Sequence, residues 1–227
     1  MKRALLLLAI LAPPAAAKTI PPPQICPEPV KAQLFISPMG EPFRPEGDGD
    51  DPVRRWFEQA DRDRDGKLTI GEAMLDADRF FAQLDKDGNG ELLPDEVHAY
   101  EQDVAPEIRL YQRRVEPEPG RKPDEPDEDR ARRRKGVGRG APGGDGAAGA
   151  GRYAFLNIPN PVASADDDIN RAVDRNEFRA AAAERFRDLD RDQTKALTLA
   201  QLPKTPAQIA ANAACLARVK QGKERHR

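Results

Sequence analysis

The sequence predicts an all-α fold made of two helix–loop–helix modules joined by a long disordered linker. Apolar residues recur at helical spacing around short acidic loops, and in each half of the chain two such loops start 24 residues apart. The stretch between the halves is rich in Pro, Gly and Arg. Aromatic residues are 5% and charged residues 33% of the 227 residues, which favours small helical modules over one large core.

The first 17 residues have the pattern of a secretory signal peptide. Lys2 and Arg3 precede a short apolar run, and an Ala-rich segment with a typical cleavage pattern ends at Ala17. The run is too short to cross a bilayer, so an uncleaved membrane anchor is the less favoured alternative. No later stretch of the sequence could span a membrane. We therefore expect a periplasmic or secreted protein whose mature chain starts at Lys18.

The many prolines of residues 18–47 predict an extended arm in polyproline geometry. The next segments are predicted to be a first module (48–112), a disordered linker (113–151), a second module (152–220) and a basic tail (221–227). The linker's basic run could bind anionic lipid or nucleic acid. Because no aromatic residues interleave it, we interpret it as a solvated charge run and expect no nucleic-acid partner.

The chain has two cysteines, Cys26 and Cys215. In an exported protein they could form a disulfide that ties the two ends of the chain together, or they could remain free thiols. The sequence leaves both alternatives open, because it does not show whether the two Cα atoms come within bonding reach.

Loop 1 (residues 61–72) has the order of oxygen ligands that calcium requires. Calcium takes 6–8 oxygens, and in a twelve-residue loop these come from positions 1, 3, 5, 7, 9 and 12. Those positions hold Asp61, Asp63, Asp65, Lys67 (through its carbonyl), Thr69 and Glu72. Gly66 at position 6 permits the sharp turn.

Loop 2 (residues 85–96) repeats the pattern, with an apolar residue again at position 8. Its predicted ligands are Asp85, Asp87, Asn89, Glu91 (through its carbonyl) and Glu96. Leu93 at position 9 offers no side-chain oxygen, so a water molecule is expected there. Pro94 is acceptable in the first turn of a helix, and an apolar stripe that includes Tyr100 follows it. We therefore predict that a helix leaves loop 2 at Pro94.

The second half repeats the first in weaker form. Loop 3 (residues 166–177) offers Asp166, Asp168, Asn170, Asp174 and Glu177, but Arg171 replaces the turn glycine and predicts a strained or altered turn. Loop 4 (residues 190–201) lacks the turn glycine, and Gln201 stands where the closing carboxylate should be. We interpret this loop as a structural remnant. Prolines before loop 3 predict a truncated entering helix, and Thr205–Pro206 predicts the start of a final helix.

These loops resemble the calcium loops of EF-hand proteins. The chain is similar to periplasmic EF-hand proteins of Gram-negative bacteria, and distantly to the calmodulin superfamily, over about 52–112 and 153–202. The resemblance implies calcium as the cofactor, bound by the residues named for loops 1 and 2, with loop 3 as a weaker candidate. Only 12 residues separate Glu72 from Asp85. It is therefore open whether loops 1 and 2 pair or lie at opposite ends of one helix.

Charge and composition favour calcium binding over catalysis. Residues 48–103 contain 17 acidic and 7 basic residues, a net charge of −10 that bound cations would offset. His98 and His226 are the two histidines, and no nucleophile–histidine arrangement or phosphate-binding glycine loop accompanies them. We expect a calcium buffer or sensor. The alternative is a calcium-stabilised structural protein of the cell envelope that holds an unidentified periplasmic partner.

Overall fold

The computed structural model describes residues 24–27, 30–47, 49–109 and 146–225. The predicted signal peptide and residues 113–145 of the predicted linker lie outside the described residues. Within them the helices are α1 (Pro52–Ala60), α2 (Ile70–Leu84), α3 (Pro94–Ala99), α4 (Arg175–Leu189) and α5 (Pro206–Arg225). The strands are β1 (Phe35–Ile36), β2 (Pro42–Phe43), β3 (Leu68–Thr69), β4 (Glu91–Leu92), β5 (Val173–Asp174) and β6 (Ala196–Leu197).

The prediction of an all-α fold in two modules was wrong, because the described residues also contain three two-stranded antiparallel sheets. One is the hairpin β1–β2. The other two join loops from opposite halves of the chain: β3 of loop 1 pairs with β6 of loop 4, and β4 of loop 2 pairs with β5 of loop 3. Each loop has two extended residues whose backbone groups need partners. A strand from the other half supplies them.

The apolar residues at position 8 face each other in these sheets. Leu68 lies opposite Leu197, and Leu92 lies opposite Val173. All four side chains are buried. Loops 3 and 4 are therefore the direct strand partners of loops 2 and 1.

Local signals in the sequence start the helices where the structure has them. The Asp51 side chain accepts the N–H of Arg54 ahead of Pro52, as expected for a helix cap. Reciprocal capping bonds join Thr69 with Glu72 and Asp174 with Glu177. The predicted cap at Thr205 is confirmed, because its Oγ1 accepts the N–H of Gln208.

The central packing is between α2 and α4. Loop 1 precedes α2 and pairs with loop 4, which follows α4. Loop 2 follows α2 and pairs with loop 3, which precedes α4. The two helices are therefore antiparallel, and α2, with its 15 residues, separates loops 1 and 2 by about 22 Å. This settles the open alternative: loops 1 and 2 lie at opposite ends of one helix.

The two sequence halves share their cores. One cluster combines Phe80 and Phe81 of α2 with Phe178 of α4 and Val162. The other combines Trp56 and Phe57 of α1 with Phe186, Leu197 and Leu202. The entering segment of loop 3 is only a short 3-10 turn, Ala163–Ala165, which confirms the predicted truncation. None of the described helices is both long enough and apolar enough to cross a membrane.

Part of the predicted extended arm is folded. Strands β1 and β2 form a hairpin in which Phe35 lies opposite Phe43 and Ile36 lies opposite Pro42. Phe35, Ile36, Met39 and Phe43 are all buried. Polyproline geometry is therefore not the conformation of residues 35–43, because burial of these apolar side chains outweighs the preference of the surrounding prolines.

Cys26 and Cys215 form a disulfide, with their Cα atoms 6.0 Å apart. Asn212 of α5 supports the same junction. Its Oδ1 accepts the N–H of Cys26 at 2.9 Å, and its Nδ2 donates to the carbonyl of Gln24 at 2.9 Å. The junction fixes the N-terminal arm to the last helix.

Candidate metal centre

All four loops share one backbone turn. The residues at positions 4 and 6 have positive φ in each: Arg64 and Gly66, Gly88 and Gly90, Ile169 and Arg171, Gln193 and Lys195. Glycine tolerates this region, whereas another residue there costs about 1–2 kcal/mol. The sequence predicted that Arg171 would strain or alter this turn. The backbone follows the same course as in the other loops, and the strain lies at Arg171 itself, whose φ is 73°.

One hydrogen bond closes this turn in every loop. The N–H of position 6 donates to Oδ2 of the position 1 aspartate, at 2.9 Å for Asp61, 3.0 Å for Asp85, 3.0 Å for Asp166 and 2.7 Å for Asp190. The donor is a backbone group, so the bond does not depend on the side chain at position 6. This explains how the turn survives without glycine in loops 3 and 4.

Loop 1 brings three carboxylates to one place. Oxygens of Asp61, Asp63 and Asp65 lie within 4.8 Å of one another. Asp61 is only 6% exposed, and within the described residues its Oδ1 has no hydrogen-bond partner. A buried anionic oxygen without a donor is costly unless a cation lies beside it. The donor set and this unsatisfied oxygen therefore fit a calcium ion.

Glu72 joins the two ends of loop 1 by hydrogen bonds and is not one of the three clustered carboxylates. Its Oε1 accepts the N–H of Arg62 at 3.0 Å, and its Oε2 accepts the N–H and hydroxyl of Thr69 at 2.9 and 2.8 Å. Burial raises the pKa of Glu72, but the hydrogen bonds from Thr69, Asp63 and Arg62 outweigh burial and hold that pKa below its ordinary value. The lowered pKa favours the ionised form of Glu72, which is the form able to bind a cation. The Lys67 N–H donates to Asp65 Oδ1 at 2.8 Å.

Loop 2 also gathers three carboxylates, and here the position 12 residue is one of them. Oxygens of Asp85, Asp87 and Glu96 lie within 4.8 Å of one another. The N–H groups of Asn89 and Glu91 donate to the side chains two residues earlier, at 3.0 and 2.7 Å. These bonds hold the side chains at positions 3 and 5 against the backbone of the loop.

Loop 3 has the same arrangement as loop 2. Oxygens of Asp166, Asp168 and Glu177 lie within 4.8 Å of one another. The Asn170 side chain donates to Asp168 at 2.9 Å, and Asp174 forms reciprocal capping bonds with Glu177, both 2.8 Å. Loop 3, which was predicted to bind calcium less well than loops 1 and 2, therefore assembles a comparable acidic cluster.

Loop 4 satisfies its oxygens with protein donors. It has no acidic cluster among the described residues. The Thr194 hydroxyl lies 2.9 Å from Asp190 Oδ1 and 2.7 Å from the carbonyl oxygen of Ala196, and the Thr194 N–H also donates to Asp190. Burial raises the pKa of Asp190, but donors from Lys195 and Thr194 outweigh it and lower that pKa. Sequence reasoning missed this role of Thr194, and its only signal was a hydroxyl at position 5.

Comparison with known proteins supports this assignment. A family model described as EF hand matches residues 53–72, which cover most of α1 and all of loop 1. The comparisons with curated proteins and with solved structures found no match to this chain. Residues 53–72 are therefore similar to an EF hand. The match and the acidic clusters together imply a capacity to bind calcium.

Proposed function

We propose that this protein is a calcium-binding protein of the periplasm or the extracellular space, acting as a buffer or sensor through loops 1 and 2 and, more weakly, loop 3. The observation that carries the proposal is the buried, unsatisfied Oδ1 of Asp61 within the loop 1 cluster. A carboxylate in that position needs a cation.

The residues that would hold the ion follow from the loop positions. In loop 1 these are Asp61, Asp63, Asp65, the Lys67 carbonyl, Thr69 and Glu72. In loop 2 they are Asp85, Asp87, Asn89, the Glu91 carbonyl and Glu96, with water beside Leu93. Calcium supplies charge neutralisation, so it should stabilise the acidic block of residues 48–103. No residue is assigned a catalytic role.

Export is supported by two independent features. The N-terminal sequence has the order of a secretory signal peptide. The Cys26–Cys215 disulfide is typical of oxidising compartments, which include the periplasm and the extracellular space. Affinities of about 10⁻⁶ to 10⁻³ M are expected, since exported calcium modules tend to bind weakly.

A second candidate function is a calcium-stabilised structural protein of the cell envelope. It is favoured by the shared cores, in which each loop of one half is paired with a loop of the other. Under this alternative calcium would stabilise a scaffold for a periplasmic partner. A pull-down from periplasmic extract in calcium and in chelator separates a buffer from a protein that holds a partner, because a buffer should retain no partner under either condition.

Calorimetric titration of the disulfide-bonded protein with calcium tests the proposal. Two or more sites are expected, and Glu96→Gln should abolish or greatly weaken one of them. Glu91→Gln is the matched control: it removes the same charge from loop 2, but position 7 binds through its backbone carbonyl. No binding at millimolar calcium would rule the proposal out.

A further inference from the structure

Calcium-binding helix–loop–helix proteins differ in what the ion does to the space between their helices. Sensors open that space and expose an apolar groove, whereas buffers barely open. In this protein that space, here called the cleft, is bounded by α1, α2 and α4. The hairpin of residues 35–43 occupies it.

The hairpin places apolar side chains in both cores. Phe35 and Phe43 belong to the cluster around Trp56, and Ile36 and Met39 belong to the cluster around Phe80. Successive residues of a strand point to opposite faces, so neighbours Phe35 and Ile36 reach different clusters. The hairpin is thus a wedge between the two cores.

Among the described residues, the hairpin closely fills the space around its own side chains. The Phe35 ring lies 5.4 Å from the Trp56 ring and 4.8 Å from the Phe155 ring, measured between centroids. The cavity that remains beside Pro38 and Met39 has a volume of about 20 Å³. This is enough for roughly one water molecule.

Polar contacts hold the tip of the hairpin in place. The Tyr100 hydroxyl donates to the Gly40 carbonyl at 2.8 Å. Gly40 has a φ of 102°, and a Cβ there would lie 2.6 Å from the Tyr100 hydroxyl oxygen. Arg185 of α4, which is 4% exposed, donates to the Pro38 carbonyl at 2.9 Å. The tip is therefore fastened to α4 and to the segment that follows α3.

An ion network ties the hairpin to α1 and α2. Glu41 pairs with Arg79, and Arg79 pairs with Asp76 at 2.8 Å. The buried Asp76 also accepts the indole N–H of Trp56 at 3.2 Å. Separating α1 from α2 would break this buried bond and leave Asp76 short of a donor.

We infer that the hairpin of residues 35–43 is a built-in ligand of this cleft, and that calcium binds without exposing the cleft to a target protein. The inference rests on the proposed calcium binding and narrows it to a buffer or a scaffold. The chain supplies its own apolar occupant, where a groove-opening sensor would bind a partner.

Trp56 is the only tryptophan in the sequence, so its fluorescence reports directly on the cleft. The full disulfide-bonded protein is measured in calcium and in chelator, with calorimetry on the same sample. The readouts are Trp56 emission, its quenching by acrylamide, and binding of the apolar dye 8-anilinonaphthalene-1-sulfonate. We expect calorimetry to show heat of calcium binding. We expect calcium to cause no shift of Trp56 emission and no gain in dye binding.

Two variants release the hairpin by different routes. Gly40→Val introduces the clash with Tyr100, and Glu41→Ala removes the contact with Arg79. Each should bind the dye several-fold more than the wild type. Glu46→Ala is the matched control, because this exposed acid lies on the same arm but pairs with Arg55 outside the hairpin. If Gly40→Val does not fold, Glu41→Ala carries the test.

The possible outcomes distinguish failure of the inference about the cleft from failure of the proposed calcium binding. A calcium-dependent rise in dye binding by the wild type, with Trp56 becoming accessible to quencher, would overturn the inference while leaving calcium binding intact. Folded variants that bind no more dye than the control would overturn it as well. If calorimetry shows no heat of calcium binding, the proposed function is overturned, and the inference with it.

Discussion

The two ends of the molecule have the same strand pairing but differ in their ligands. At one end, loop 1 has a cluster of three aspartates and its partner loop 4 has none among the described residues. At the other end, loops 2 and 3 each have a cluster of three carboxylates. The position 8 residues are buried at both ends. Strand pairing therefore depends on the apolar residue at position 8 and not on the ligands.

Loop 4 shows how a loop can keep its shape without the oxygens that calcium needs. In loop 1 a buried Asp61 oxygen lacks a donor, whereas in loop 4 the equivalent Asp190 oxygen accepts the hydroxyl and the N–H of Thr194. Protein donors there satisfy the charge that a cation would otherwise neutralise. The 1–4 end should thus be partly formed without calcium, and the 2–3 end should depend on it more.

The largest expected effect comes from removing the shared apolar contact. Leu197→Ala in loop 4 should destabilise the protein by about 2–5 kcal/mol, because it leaves a cavity opposite Leu68. Urea unfolding measures this. Leu75→Ala, at a side chain that is 41% exposed, is the matched control. A loss under about 1 kcal/mol for Leu197→Ala would mean that loop 4 does not support loop 1.

Calcium removal should have the next largest effect. Calcium at ten times its dissociation constant stabilises a protein by about 1.4 kcal/mol per site, so chelator should lower the melting temperature. Glu72→Gln with Glu96→Gln should remove most of the difference between calcium and chelator. Thermal unfolding followed by circular dichroism tests this. Identical melting curves in calcium and chelator would contradict it.

Loop 4 should regain a site when its missing ligands are restored. The triple variant Thr194→Asp, Lys195→Gly and Gln201→Glu supplies the acid, the turn glycine and the closing carboxylate. Calorimetry should show one additional site. Calcium at ten times its dissociation constant should then add about 1.4 kcal/mol of stability. Thr194→Asp alone is the control, and an unchanged number of sites in the triple variant would show that the ligands are not what loop 4 lacks.

The smallest effect concerns the turn of loop 3. Arg171→Gly should relieve the strain of a φ of 73° and remove a positive charge beside the cluster. The gain in stability should be below about 1 kcal/mol, because glycine also loses more conformational entropy on folding. Calcium affinity at loop 3 should rise. Lys86→Gly in loop 2, away from positions 4 and 6, should bring no such gain.

Much of the site could be read from the sequence, because ligand order and turn glycines are local features. The 24-residue spacing located all four loops, and Thr69 and Asp174 occupy the capping positions that their loops require. The choice of loop partners could not be read, since it follows from the antiparallel packing of α2 on α4. That packing is a tertiary property.

The hairpin was missed for a different reason. The prolines of residues 18–47 dominated the composition, although the signal was present in two apolar pairs, Phe35–Ile36 and Pro42–Phe43, on either side of a turn at Gly40. A two-residue strand is too short to show a period. Its burial depends on helices that come later in the chain.

The disulfide has a consequence for survival among proteases. Cys26 and Cys215 are 189 residues apart, so the bond closes most of the chain into a covalent ring. A single cut at any peptide bond between them opens the ring without releasing a fragment. Both cores draw on both halves, so the nicked molecule would still hold its loops in register. A second cut within the ring is needed before any piece of the ring can diffuse away.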